Sequence, residues 1–302
     1  SSSSGQKYVK ENNNKISFKN YWFLYYNPLL VQYIRMLEKL IQKLISVPIS
    51  RRWFWKKWYN FLAGRKADID FQLMNYGYFA ENLHPELENN DEPERYSIHL
   101  YHYVATQINL SGKNVLEVGS GRGGGASYIA RYLHPKTMTG IDISKYAVEF
   151  CKKIHSVPNL NFQVGDSEDI LFLDGNFDVV INVESSHCYG SMEIFLKEVR
   201  RVLKPGGYFL YCDFRPTKQL NILNKQLLDS GLKLMQKTDI TDNIITALDL
   251  VSANRKDLIH INVPQSLRKL IETFAGIRGT RIYNAFYDGS AAYICAALKK
   301  PA

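Results

Sequence analysis

From residue 113 onward the chain repeats one alternation, a short and nearly continuous apolar run followed by a stretch with apolar residues every three or four positions. The runs Lys113–Val118, Met138–Ile143, Leu160–Val164, Phe177–Val183 and Tyr208–Asp213 read as strands. The stretches Gly124–Leu133, Lys145–His155 and Met192–Leu203 read as helices, with Ser144 a candidate N-cap for the second. Lys204-Pro-Gly-Gly207 reads as a turn into the fifth strand. Strands alternating with helices in this way imply a parallel sheet covered by helices on both faces. Two further strands are expected at Leu232–Ile240 and Ala291–Leu298. Between them lie helices at Thr241–Ser252 and Pro264–Phe274 and a loop at Gly276–Arg281. A helix at Ser97–Gln107 leads into the first strand.

The pattern ahead of residue 93 is different. Leu30, Ile34, Leu37, Ile41 and Leu44 form one apolar stripe among Gln, Arg, Glu and Lys, an amphipathic helix ending near Pro48. Arg51-Arg-Trp-Phe-Trp-Lys-Lys-Trp58 then mixes cations with indoles, which suits either an anchor at a lipid surface or a cap packed on the core. Asn89-Asn-Asp-Glu-Pro-Glu94 is the clearest polar break. The expected organisation is a helical, basic and aromatic N-terminal extension and cap over residues 1–92. An α/β domain follows over 93–302, with a helical lid insertion at about 241–275.

Composition sharpens this picture at two points. The net charge of +9 is concentrated at the N-terminus: residues 1–66 carry 13 Lys/Arg against 2 Asp/Glu, and the remainder 25 against 27. A near-neutral α/β domain argues against a nucleic-acid substrate, which needs a basic face around the cleft. The four cysteines are widely spaced and form no C-x-x-C pair, so neither a disulfide framework nor a metal site is expected. No secretory signal or membrane-spanning run is read, and the expected location is the cytoplasm, with peripheral membrane contact through the N-terminal segment.

Chemistry concentrates after the first strand. Glycines at 119, 121, 123, 124 and 125 follow Glu117, and a glycine-rich turn opening a helix lets a ligand approach the backbone and the positive helix end. Gly119, Gly121 and Gly124 fit the dinucleotide spacing G-x-G-x-x-G, while Glu117-x-Gly119-x-Gly121-x-Gly123 equally fits S-adenosylmethionine enzymes. Asp142 ends the second strand 21 residues after Gly121, where a carboxylate can accept from ribose hydroxyls, and Ile143 follows it. Gly165-Asp166-Ser167 closes the third strand in a position that suits an adenine amine. Together with Glu117 and the turn before the fifth strand, and with no Tyr-x-x-x-Lys dyad for hydride transfer, the set points to S-adenosylmethionine.

Residues Glu92–Pro216 resemble class I S-adenosylmethionine-dependent methyltransferases, most closely the phthiotriol/phenolphthiotriol dimycocerosate methyltransferase group. The resemblance rests on Leu100-Tyr-His-Tyr-Val-Ala-Thr-Gln107, Val115–Tyr128, Leu133-His-Pro135, Asn182-Val-Glu-Ser-Ser-His-Cys-Tyr189 and Leu203–Tyr208. It implies a Rossmann-like, seven-stranded sheet with helices on both faces and a helical N-terminal and lid region. It also implies Asn182 beside the cofactor and O-methylation of hydroxyls on long-chain lipids. Asn75-Tyr-Gly-Tyr78 is similar to a motif preceding the core in natural-product and sterol methyltransferases.

The chemistry required is modest, because a sulfonium donor already carries an electrophilic methyl; the protein must align an acceptor and remove a proton. His187 is the preferred general base from its intrinsic near-neutral pKa, with a helix-capping role as the structural alternative. Glu184 is placed to orient His187, to act as base itself or to hold the cofactor. Tyr76, Tyr78, Tyr283 and Tyr287 are candidates for an apolar substrate pocket. The expected partner is a hydrophobic small molecule such as a lipid, polyketide or terpenoid, methylated on a hydroxyl; carbon methylation of a sterol or isoprenoid is the runner-up. Asn182-Val-Glu-Ser lacks the Asn/Asp-Pro-Pro-Tyr/Phe signature used for exocyclic base amines, a second argument against nucleic acid.

Overall fold

Strand β1 (Asn114–Val118) is an interior strand of the sheet, its apolar residues buried on both faces, with Val115, Leu116 and Val118 at 1% exposure or less. The computed structural model describes residues 72–302. The amphipathic helix read at 30–44 and the Arg51–Trp58 segment lie outside the described residues.

Six more strands complete one sheet: β2 (Thr137–Asp142), β3 (Leu160–Val164), β4 (Phe177–Val183), β5 (Leu203–Pro216), β6 (Lys233–Asp239) and β7 (Ala291–Lys299). Their spatial order is β3-β2-β1-β4-β5-β7-β6, with β7 antiparallel to both neighbours and the remaining pairs parallel. This is the seven-stranded, Rossmann-like arrangement expected. The chain builds outward from β1 to β3, then returns to the other side of β1 at β4. That reversal opens a crevice at the carboxyl ends of β1 and β4, where open sheets of this kind bind ligands.

Eight α-helices occur among the described residues: α1 (Arg95–Ala105), α2 (Gly124–Tyr132), α3 (Lys145–Ile154), α4 (Met192–Val202), α5 (Leu220–Asp229), α6 (Thr241–Asn262), α7 (Gln265–Phe274) and α8 (Arg281–Tyr287). Two layers of packing clasp the sheet. One joins α1, α2 and the start of α6 through Leu100, Val104, Ile129, Ile244 and Leu248; the other joins α4 and α5 through Phe195, Val199, Leu223 and Leu227. In α4 the buried positions Met192, Phe195, Leu196, Val199 and Val202 recur at helical spacing. Ser191 and Ser144 cap α4 and α3, accepting from the N–H groups of Ile194 and Ala147 (both 3.2 Å).

Three local features differ from the sequence pattern. Lys204–Gly207 does not separate a helix from a strand but sits inside β5, where register with β4 jumps from Phe177–Leu203 to Val179–Tyr208. Gly206, at φ +76°, and Gly207 are held there by exchange with Lys300 (3.1 and 2.8 Å). Helix α6 continues past Ser252 to Asn262, and α5 and the short α8 fill stretches for which the residue pattern predicts no element.

Candidate active site

The loop after β1 is shaped by steric necessity as much as by ligand access. Gly119, Gly121 and Gly123 all have left-handed backbone, at φ +80°, +52° and +80°. A Cβ on Gly119 would fall 1.8 Å from Ser185 Oγ, and one on Gly125 would fall 2.0 Å from the Tyr101 ring. Gly121, in contrast, faces relatively open space, with Met74 Cε 3.4 Å from its ideal Cβ. These glycines let the backbone of β1, the 3₁₀ turn Ser186–Cys188 and α1 converge around one cavity of about 950 Å3, including its open mouth.

Six expected cofactor residues line this cavity together: Gly119, Gly121, Asp142, Ile143, Asp166 and Ser167. The Gly121 N–H donates to Asp142 Oδ2 (2.9 Å) and the Ser144 N–H to Oδ1 (2.8 Å), which fixes the carboxylate toward the loop. Desolvation raises the Asp142 pKa against these two bonds. Asp166 Oδ1 accepts from the Glu168 N–H (3.0 Å), a local turn that presents Ser167 to the cavity.

Three expected residues sit behind the cavity rather than on its wall. Gly123 packs against Phe162, Cys151 and His155. Asn182 is fully buried and donates to the Val118 carbonyl (2.8 Å) and Tyr189 Oη (2.9 Å), bracing β1 against the turn after β4. Glu117 is also fully buried; Tyr101 donates to its Oε1 (2.7 Å), and among the described residues its Oε2 has no hydrogen-bond partner. Desolvation lifts Glu117 from the ordinary 4.5 to about 7, with the Tyr101 bond opposing.

A folded-state value above the unfolded one means that this group's stabilisation is full below pH 4.5 and is lost as pH rises through 7. Glu117→Gln is therefore expected to raise the melting temperature of the ligand-free protein at pH 8, by an amount equivalent to at most about 3 kcal/mol. The gain should shrink as the pH approaches 4.5. Thermal melts across that range would show it, and equal melting at pH 8 would count against a charged, uncompensated Glu117.

At the end of β4 the backbone turns sharply, and Glu184 takes a left-handed conformation (φ 45°) unusual for a residue with a side chain. Its carboxylate lines the cavity, and Oε1 accepts from the Tyr76 N–H (2.8 Å) and from Tyr293 O–H. Desolvation, only partly offset by those donors, lifts Glu184 to about 7. Three residues on, His187 Nδ1 meets Asp213 Oδ1 at 2.8 Å and its ring lies 4.5 Å from that of Phe214. Asp213 has no exposure and also accepts from Ser186 Oγ (2.6 Å), the His187 N–H (2.9 Å) and Arg215 (3.1 Å). Burial works against ionisation of Asp213, but His187 and Arg215 hold it well below the usual carboxylate range. Burial likewise works against a charged His187, yet Cys188 and Asp213 lift it to about 10. His187 is thus a cation near neutral pH, and it does not line the cofactor cavity.

The four tyrosines read as a substrate pocket do not come together. Tyr76 packs against Phe214 and Phe286 (5.7 and 5.6 Å between ring centroids) beside Glu184. Tyr78 stacks on Tyr103 at 4.4 Å. Tyr283 donates to Asp249 (2.8 Å) and stacks on Tyr287, which is 72% exposed. Gln72–Asn75 forms one wall of the cavity; the sequence motif draws attention to Asn75–Tyr78 for its tyrosines, whereas Gln72, Leu73, Met74 and Asn75 are the residues that line the site. Glu94 holds this strap by accepting from the Gln72 and Leu73 N–H groups (2.8 and 2.9 Å), and Arg255 donates to the Asn75 carbonyl (3.1 Å). Ser185 and Tyr189 line the cavity too; they fall within the Asn182–Tyr189 motif but are not singled out by it, and nothing in its local spacing marks Tyr293.

A glycine cradle, a carboxylate at the end of β2, a polar turn at the end of β3 and a buried acid with one unpartnered oxygen fit an amino-acid-bearing nucleoside such as S-adenosylmethionine. Fold and site together define an S-adenosylmethionine-dependent methyltransferase. A family model described as a methyltransferase domain matches residues 109–262, and the chain belongs to that family. It is 39% identical to the phthiotriol/phenolphthiotriol dimycocerosates methyltransferase of Mycobacterium tuberculosis, over 79% of this chain and 89% of the relative. It is 38% identical to the fatty-acid O-methyltransferase of Mycolicibacterium smegmatis, over 81% of this chain and 89% of that one. Among solved structures, the geranyl diphosphate C-methyltransferase of Streptomyces coelicolor shares the fold with a TM-score of 0.59 at 15% identity, covering 83% of this chain and 98% of that one.

Proposed function

We propose that the enzyme transfers the methyl group of S-adenosylmethionine to a hydroxyl of a hydrophobic small molecule, a lipid or a comparably apolar natural product. The observation that carries this reading is Glu184: a carboxylate with a pKa of about 7, on the cavity wall, beside the aromatic cluster of Tyr76, Phe214, Phe286 and Tyr293. A base poised near the working pH, next to apolar surface, suits deprotonation of an alcohol or phenol. The names of the two curated relatives, one acting on phthiotriols and one an O-methyltransferase of fatty acids, support an oxygen acceptor on a lipid. They do not favour the sterol or isoprenoid carbon.

In this reading Asp142 accepts hydrogen bonds from the ribose, Asp166 and Ser167 face the adenine, and Gly119–Gly121 and the start of α2 receive the amino-acid tail, with Glu117 behind it. When bound, the cofactor supplies an electrophilic methyl on a positively charged sulfur. Glu184 takes the acceptor's proton. His187 remains charged, and its field, with that of Arg255, favours the ionised form of Glu184. Asp213 and the Phe214 ring keep the imidazolium in place. Tyr76, Tyr293, Phe214 and Phe286 exclude water from the reacting oxygen.

Incubation with methyl-deuterated donor and a panel of long-chain alcohol, alkylphenol, fatty acid and sterol, read by mass spectrometry, tests this proposal. Labelled methyl ethers from the alcohol or phenol are expected. Label confined to fatty-acid esters or to sterol carbon would replace the hydroxyl reading. Membrane contact remains a proposal for the N-terminal segment; among the described residues no helix is long and apolar enough to cross a bilayer. Sedimentation of the intact protein with anionic liposomes, lost on removing residues 1–66, is the corresponding check.

A further inference from the structure

The mechanism uses Glu184 but leaves unexplained why two donors converge on one of its oxygens. The Tyr293 hydroxyl and the Tyr76 N–H both reach Oε1, and among the described residues no hydrogen bond reaches Oε2. Tyr293 comes from β7, 109 residues downstream. It reaches this edge because β7 runs antiparallel. Its early residues therefore lie beside the late residues of β5, with Tyr293 paired to Phe214. A parallel strand in the same place would present its last residues there instead.

Tyr293 is held with little freedom. Its N–H donates to Thr241 Oγ1 (2.9 Å), its carbonyl accepts from Ile240 N–H (2.9 Å), and its ring, with no exposure, lies 6.0 and 6.1 Å from those of Phe214 and Phe286. A hydroxyl so fixed needs no reorganisation to meet a carboxylate. We infer that Tyr293 is a positioning residue that orients the Glu184 carboxylate, directing Oε2 at the acceptor, and favours its ionised form. This rests on the reading of Glu184 as the base.

The other titratable and charged groups around Glu184 divide by sign. His187 faces it from the 3₁₀ turn, Cys212 and Asp213 from β5, Arg255 from α6, Tyr101 from α1 and Tyr76 from just after the strap, with Cys188 close to Tyr76. His187 and Arg255 favour the carboxylate, and Asp213 opposes it. Among the described residues Tyr293 is the side-chain donor that touches the carboxylate, and its bond lowers the Glu184 pKa from what desolvation would otherwise impose.

The test separates this inference from the function it rests on, because it needs no acceptor. Infrared difference spectra of the full chain, titrated with acid, show the C=O band of a protonated buried carboxyl; loss of that band in Glu184→Gln assigns it. In Tyr293→Phe, which preserves the ring, the proton affinity of Glu184 is expected to rise about tenfold. Binding of S-adenosylhomocysteine should stay within about threefold of wild type, since Tyr293 is not on the cofactor wall. With an acceptor from the panel, the acidic limb of kcat/KM should move to higher pH by the same factor, and the alkaline plateau should stay below that of wild type because the ionised carboxylate is no longer aimed. An unchanged titration midpoint in Tyr293→Phe would overturn the inference whatever the activity. A displaced midpoint alongside full turnover by Glu184→Gln would leave the Tyr293–Glu184 coupling intact and remove Glu184 as the base.

Discussion

Asp142→Ala is expected to weaken S-adenosylhomocysteine binding by at least about 100-fold while leaving the fold intact. The carboxylate stands between two structures that a ligand must find already formed. One oxygen receives the Gly121 N–H and the other the Ser144 N–H, so the side chain sets the curve of the glycine loop as well as facing the cavity. Removing it takes away the acceptor proposed for the ribose hydroxyls and leaves two loop amides without their partner. Each charge-assisted bond lost contributes roughly 1.5–3 kcal/mol. Asp142→Asn separates the two parts of the effect, since an amide can accept one backbone N–H but carries no charge. It should fall between wild type and alanine. Isothermal titration calorimetry with S-adenosylhomocysteine reads both, and circular dichroism confirms the fold. Wild-type affinity in the alanine variant would dissociate Asp142 from the cofactor.

The alternation that made the sheet readable is a local property. Strands such as Phe177–Val183 are apolar because both faces are covered, and α4 carries its buried residues at helical spacing, so both were visible in the sequence. Acidic residues at strand ends were visible for a related reason: Asp142 and Asp166 are polar breaks in otherwise apolar runs, and topology alone brings such ends to one edge.

Direction and long-range contact were not visible. The apolar run Ala291–Lys299 reads the same whether parallel or antiparallel, yet only the antiparallel choice delivers Tyr293 to Glu184. The glycine loop was read as ligand access, whereas Gly119 and Gly125 are required at least as much by Ser185 and Tyr101. Four tyrosines suggested one pocket, but an aromatic side chain gives no sign of its facing. Three of them found partners elsewhere: Tyr78 in Tyr103, Tyr283 in Asp249, and the exposed Tyr287 in the buried Tyr283.

The same limit applied to the base. In sequence His187 is preferred as base because its intrinsic pKa is near neutral, with Glu184 as the alternative. In the proposed reading environment exchanges the two: burial opposes a charged His187 but Cys188 and Asp213 lift it to about 10, and desolvation brings Glu184 up to about 7. Glu184→Gln is accordingly expected to lower methyl transfer about 10²- to 10⁴-fold, the usual contribution of a general base. Glutamine keeps the oxygen that accepts from Tyr76 and Tyr293, so the strap and the cavity wall should survive and S-adenosylhomocysteine should still bind within a few-fold of wild type. In the wild-type enzyme kcat/KM should rise with pH through about 7, as Glu184 loses its proton, and level off above it. The residual activity of the glutamine variant should lack that rise. Near-normal turnover by Glu184→Gln, or persistence of the limb near pH 7 in its residual activity, would return the base to another group. The His187–Asp213 pair would then be the next one to remove.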